Sequence, residues 1–158
     1  MKIFPTKELR FKLINGQAET LNRLNRRTER SKNLTSQNTD KSFRGIITGN
    51  EFKLISSVIG KGAFCVMTGE IESDKGNVKV EIHKAFRVLL SIFLLFPIIG
   101  ITVLVMTEAK DFSPTLILVA IGQILIIRYA FIGLAFRSFS KQSLNRLRDV
   151  LDCEWVVN

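Results

Sequence analysis

Residues that could do chemistry are few in this chain, and they are scattered. His83 is the single histidine. An imidazole acts as a general base, a proton shuttle or a metal ligand, and each role needs a partner group within reach. The stretch 78–83 alternates, with Val78, Val80 and Ile82 on one side and Lys79, Glu81 and His83 on the other. That places His83 on the polar face of a strand, a few residues before a long apolar run. Cys65 and Cys153 are the two cysteines, far apart in sequence. Isolated thiols make neither a disulfide framework nor a metal site, and behind cytoplasmic flanks they are expected to be reduced. Glu70, Glu72 and Asp74 form an acidic group at a strand end and in a turn. They lack the regular ligand spacing and closing glutamate of a calcium loop. Gly60-Lys61-Gly62 is too short for a phosphate-binding loop and opens no helix, and no G-x-S-x-G nucleophile motif occurs. These observations predict a protein that is not an enzyme and uses no metal and no cofactor.

Two other groups of polar residues are better placed to carry function. Arg128 and Gln123 interrupt an otherwise apolar run. A charge at the centre of a bilayer costs at least about 2.5–3.5 kcal/mol, so an intramembrane arginine needs a reason. Either Arg128 snorkels to the headgroups, with Tyr129 beside it at the interface, or it faces a partner helix or a wet pathway. Gln123 and Arg128 are about 140° apart around an α-helix, which argues against a single shared face. Pro97, inside the preceding apolar run, removes a backbone donor and crowds the carbonyl of Phe93, so a kink is expected there; Gly100 follows one turn later. The second group is Arg23, Arg26, Arg27, Arg30 and Lys32. It reads as a solvated helix face or as a contact for anionic lipid, with Arg23, Arg27 and Arg30 the lipid-contacting candidates. Nucleic acid is the weakest partner, because no aromatic residues interleave with the arginines.

The elements that must position these groups begin with the apolar runs. Residues 88–106 are uncharged, and nineteen residues in α-helix rise about 28 Å, near the roughly 30 Å of bilayer hydrocarbon. Residues 115–136 make a second run, with Ser113 as N-cap and Pro114 at the first helical position. Both are expected to span a membrane as antiparallel neighbours, because only the short loop 107–114 separates them. Residues 1–87 carry a net charge of +8, the tail from Arg137 carries +1, and the loop carries −1. The positive-inside rule then puts both termini in the cytoplasm and the short loop outside, so the chain is expected to be integral to the cytoplasmic (inner) membrane.

Residues 1–87 read as a small cytoplasmic β-rich domain. A strand is expected over 9–14 and a helix over 17–31. A meander of about four antiparallel strands follows over 43–48, 51–58, 63–72 and 78–86, with turns at Gly49-Asn50, at 60–62 and at 73–77. The last strand runs into the first span with almost no linker. In the tail, 137–158, Leu144, Leu147 and Leu151 recur at i, i+3, i+7, an amphipathic helix that either lies on the inner leaflet or docks on the β-rich domain, with Trp155 as an anchor for either.

The run from Phe43 to Lys53 has the pattern F-x-G-x-I-x-x-N-x-F, carried by Phe43, Gly45, Ile47, Asn50 and Phe52. With Phe64 and Gly69-Glu70-Ile71 it resembles a group of small uncharacterised bacterial membrane proteins built from such a strand motif, two membrane spans and a short helical tail. An Arg-Asn-Ser run and a proline associated with the middle of that pattern are replaced by Lys61-Gly62-Ala63 and Met67. The resemblance covers most of residues 43–154 and implies an architecture, with no activity attached. The expected fold is therefore α+β: a small antiparallel meander with one helix, a transmembrane hairpin and an amphipathic tail. The expected function is a non-enzymatic scaffold or accessory subunit of a membrane complex. The alternatives are a self-oligomerising effector or channel and a tethered lipid- or ligand-sensing module. Expected partners are membrane lipids and either copies of itself or another membrane subunit.

Overall fold

The computed structural model describes residues 4–35, 37, 39–58, 62–107 and 113–156. The turn glycine and lysine at 60–61 and most of the acidic loop, 108–112, lie outside the described residues. The described chain is mixed α+β and forms two units, one made of residues up to His83 together with residues from Phe136 onward, the other of 84–135.

The first unit is built on a seven-stranded sheet. Its strands are β1 (Thr6–Leu13), β2 (Thr28–Arg30), β3 (Phe43–Thr48), β4 (Glu51–Ser56), β5 (Cys65–Ile71), β6 (Lys75–Ile82) and β7 (Cys153–Val156), in the order β2-β3-β4-β5-β6-β1-β7. All neighbours are antiparallel except β2 and β3. The four expected meander strands correspond to β3 to β6, which sit together as hairpin neighbours, but the last ends at Ile82, and Lys84 to Phe86, expected in that strand, open the helix that follows. The expected strand at 9–14 is β1. The sheet gains two short edge strands, β2 and β7, which the sequence reading did not anticipate.

Period-two alternation sorts the residues of these strands. Phe11, Phe43, Phe52, Leu54, Met67, Ile71, Val78 and Val80 point to one face and are fully buried. The helix α1 (Gly16–Arg27) contributes Thr20 and Leu24 to this core. So does α4 (Gly133–Leu151), through Leu144, Leu147 and Leu151. The tail helix thus docks, as Phe139 against Phe64 at 5.2 Å between ring centroids also shows. Residues of the other face, such as Arg10, Lys12, Lys53, Thr68, Glu70 and Lys75, remain exposed.

Glycines are placed where rings need room. Gly69 is the register partner of Phe52, and Gly76 that of Phe11. A Cβ on either would collide with the facing ring. Lys75, Gly76 and Asn77, expected in a turn, instead open β6 and pair with Lys12, Phe11 and Arg10. The turn itself is tighter and centres on Ser73-Asp74, closed by the Glu72 amide donating to the Lys75 carbonyl at 2.7 Å. The expected helix over 17–31 also ends early. Thr28 turns extended and pairs with Phe43, so Arg30 stands on β2.

The second unit holds α2 (Lys84–Thr107), α3 (Pro114–Leu125), a π-helical stretch (Ile126–Ile132) and the start of α4. Along the chain, α3, the π stretch and α4 follow one another without interruption. With α1 and α2 this makes three helical bodies among the described residues, two of them long and apolar enough to cross a membrane.

Candidate functional site

Helix α2 begins one residue after β6, so only His83 separates sheet from helix. Twenty-four residues rise about 36 Å, more than the roughly 30 Å of bilayer hydrocarbon. Its apolar side chains face outward: Phe96 is 73% and Met106 82% exposed. The hydroxyls that interrupt it are satisfied within the helix. Ser91 donates to the Arg87 carbonyl, Thr102 to that of Ile98 and Thr107 to that of Val103, the pattern that lets a polar side chain sit in an apolar medium. Pro97 lies inside the helix and is its buried residue. The N-cap of α3 is Ser113, whose side chain accepts from the Thr115 amide, and α3 runs beside α2.

Arg128 sits within the π stretch, where the Gly133 amide donates to the Arg128 carbonyl five residues back. Such turns hold one more residue than an α turn and recur at functional sites. The angle of about 140° between Gln123 and Arg128 in ideal α geometry therefore does not carry across this stretch. The guanidinium of Arg128 lies over the Tyr129 ring, 5.6 Å from its centroid. Gln123 is exposed, Arg128 half-buried and Pro97 buried, so the three do not share one environment.

The basic residues of α1 are divided by the structure. Arg23 is committed: it meets Glu19 at 2.7 Å and Asp152 at 3.0 Å. These carboxylates, Glu19 foremost, hold its pKa up against a lowering by burial. Asp152 also accepts from the Asn15 side chain at 2.7 Å and has φ of +52°, the left-handed turn that leads α4 into β7. Arg26 and Arg27 open onto a cleft of about 1000 Å³ lined further by Lys41, Arg146 and Asp149. Arg30 is not part of it; it lines a separate depression with Lys32 on the β2 edge. Arg146 and Lys41 were not among the candidates. Arg146 was visible only as a cation beside the leucine stripe of the tail, and Lys41 sits in a polar loop with no local signal.

The remaining reactive groups are shifted by their surroundings. Burial pushes both the Cys65 and the Cys153 thiols up to about 12, which favours the protonated thiol over the thiolate at neutral pH. The His83 pKa is lowered, first by burial and then by the Lys53 charge. No family model, curated protein or solved structure matches the chain.

Proposed function

We propose that this protein is a membrane-anchored accessory subunit: a two-helix hairpin holds an α+β docking unit on the cytoplasmic side of a bacterial inner membrane for another membrane subunit to engage. The observation that carries the reading is the pairing of β7 with β1, in which Arg10 to Leu13 face Val156 to Cys153. Chain on both sides of the hairpin enters one sheet, so both ends of the hairpin have to lie on one side of any membrane it crosses. The basic flanks favour the cytoplasmic side. Burial also favours lipid as the solvent of the helices. Only 6% of the most apolar window of α2 is buried, where the core helix of a water-soluble protein would be mostly buried. The resemblance in the Phe43–Phe52 pattern belongs to the same reading. The open sheet face offers a mixed-charge surface of Lys53, Thr68, Glu70 and Arg10 of the kind that fixes register with a protein partner. Intact-mass analysis of assemblies extracted gently from native membranes tests this. A stoichiometric foreign subunit is the expected result, and a protein that is always alone sinks the idea.

One observation favours a second reading, self-assembly into an effector or channel: Arg128 lies in a π stretch of an otherwise apolar helix. Two spans per chain cannot enclose a pathway, so this reading needs homo-oligomers. A strictly monomeric protein in nanodiscs rules it out.

A further inference from the structure

We propose that the cleft between α1, residues 40–42 and α4 binds the phosphate group of a small ligand. Five cations line it from three separate elements: Arg23, Arg26 and Arg27 on α1, Lys41 in the following loop, and Arg146 on α4. Three carboxylates oppose them, Glu19, Asp40 and Asp149, leaving a net charge of +2 by difference. Glu19 is already held by Arg23, and Asp149 lies 3.4 Å from Arg148, which is outside the lining.

What distinguishes this cleft from a solvated basic surface is how its cations are held. The Lys41 ammonium donates to the Arg26 carbonyl at 2.7 Å, and the half-buried Arg146 donates to the Ser56 hydroxyl at 3.3 Å. Both anchors are neutral, so they fix position without spending the charge. The guanidinium groups of Arg26 and Arg27 make no hydrogen bond or ion pair among the described residues. Complementing the negative end of the α1 dipole accounts for two arginines in its last turn. It does not account for Lys41 and Arg146 arriving from elsewhere. Guanidinium groups match phosphate oxygens with paired donors, and convergence of several on one concave site is how such anions are recognised. The phosphate can belong to a soluble ester or to a lipid headgroup.

The test uses the full chain. In neutral detergent it is titrated with inorganic pyrophosphate by calorimetry. In nanodiscs its thermal midpoint is compared between phosphatidylcholine alone and phosphatidylcholine with phosphatidic acid. Saturable pyrophosphate binding assigns a soluble phosphate ester, and a midpoint raised only by phosphatidic acid assigns a headgroup; either supports the site. The response weakens by about tenfold or more in Arg26→Gln/Arg27→Gln, whose exposed side chains leave the fold intact, and by less in the corresponding lysine pair, which keeps the charge and loses the paired donors. Arg146→Gln is expected to weaken it as well. The same charge removed from the open sheet face, Arg10→Gln/Lys12→Gln, leaves it unchanged. Absence of any response to either probe, or equal loss in the open-face pair, overturns the proposal.

Discussion

His83 and Gly76 show how single positions report on the structure around them. Burial and the nearby Lys53 lower the His83 pKa, so the folded protein binds this proton less readily than the unfolded chain. Stability then rises with pH through the window below the ordinary histidine value of about 6.5 and levels off above it. The expected outcome is a urea midpoint that falls as pH is taken from about 7.5 to about 5.5, with a shallower fall in His83→Gln. A slope unchanged by the substitution would assign the acid sensitivity to carboxylates instead. Gly76 gives a steric prediction. A methyl group there meets the Phe11 ring and the Glu70 carbonyl, and the backbone cannot yield as a flexible side chain would. Gly76→Ala should cost about 1–3 kcal/mol by chemical denaturation, the usual range for overpacking. Gly100→Ala, where a Cβ meets nothing, serves as the control and should show no such loss.

The π stretch is the element whose consequences reach furthest. Ala120 and Ile132 are both buried, yet twelve residues of α-helix would set them about 120° apart. The extra residue held in a wide turn reduces the effective spacing to about eleven, or some 20°, which returns them to one side. From Ile132 the buried positions continue through Phe136, Ser140, Leu144, Leu147 and Leu151 in steps of three or four. Deleting Ala130 should therefore convert the stretch to plain α-helix and leave both flanking faces aligned. Its thermal midpoint in detergent is expected to stay close to that of the parent. Deleting Ser138, inside α4, rotates the leucine stripe by about 100° against what precedes it and should lower the midpoint sharply. Equal damage from the two deletions would show that the wide turn is not a register device.

For the whole molecule, the interlock of β7 with β1 sets a topological condition. In the proposed membrane arrangement, cysteines introduced at Lys12 and Gln142 react with an impermeant thiol reagent from the same side of sealed vesicles, and cysteines at Thr107 and Ser113 from the opposite side. The native thiols, buried and held protonated, contribute little background. Labelling of Lys12→Cys and Gln142→Cys from different sides is incompatible with both residues belonging to one folded sheet unit.

Much of this protein was determined by sequence alone, because some of its physics is local. A run of nineteen uncharged residues exposes apolar surface whatever it packs against, and Ser113 caps the helix that follows it because the cap involves only its immediate neighbours. The alternation of Val78, Val80 and Ile82 reports a buried strand face directly, and the Phe43–Phe52 pattern carries its own Gly49-Asn50 turn. Other features came only from tertiary structure, because they depend on partners far away in the chain. The four residues of β7 have too little pattern to declare a strand; they become one because β1 offers an unpaired edge and because Asp152 is pinned by Asn15, 137 residues away. The tail helix carries a leucine stripe that would suit a leaflet or a sheet equally well, and its burial against the sheet settled which. The π stretch leaves no compositional mark, since it differs from an α-helix only in which carbonyl each amide chooses. The basic cleft is the clearest case: Arg26, Lys41 and Arg146 are unremarkable where they stand in the chain, and their convergence is a property of the packing of α1 and α4 on one sheet.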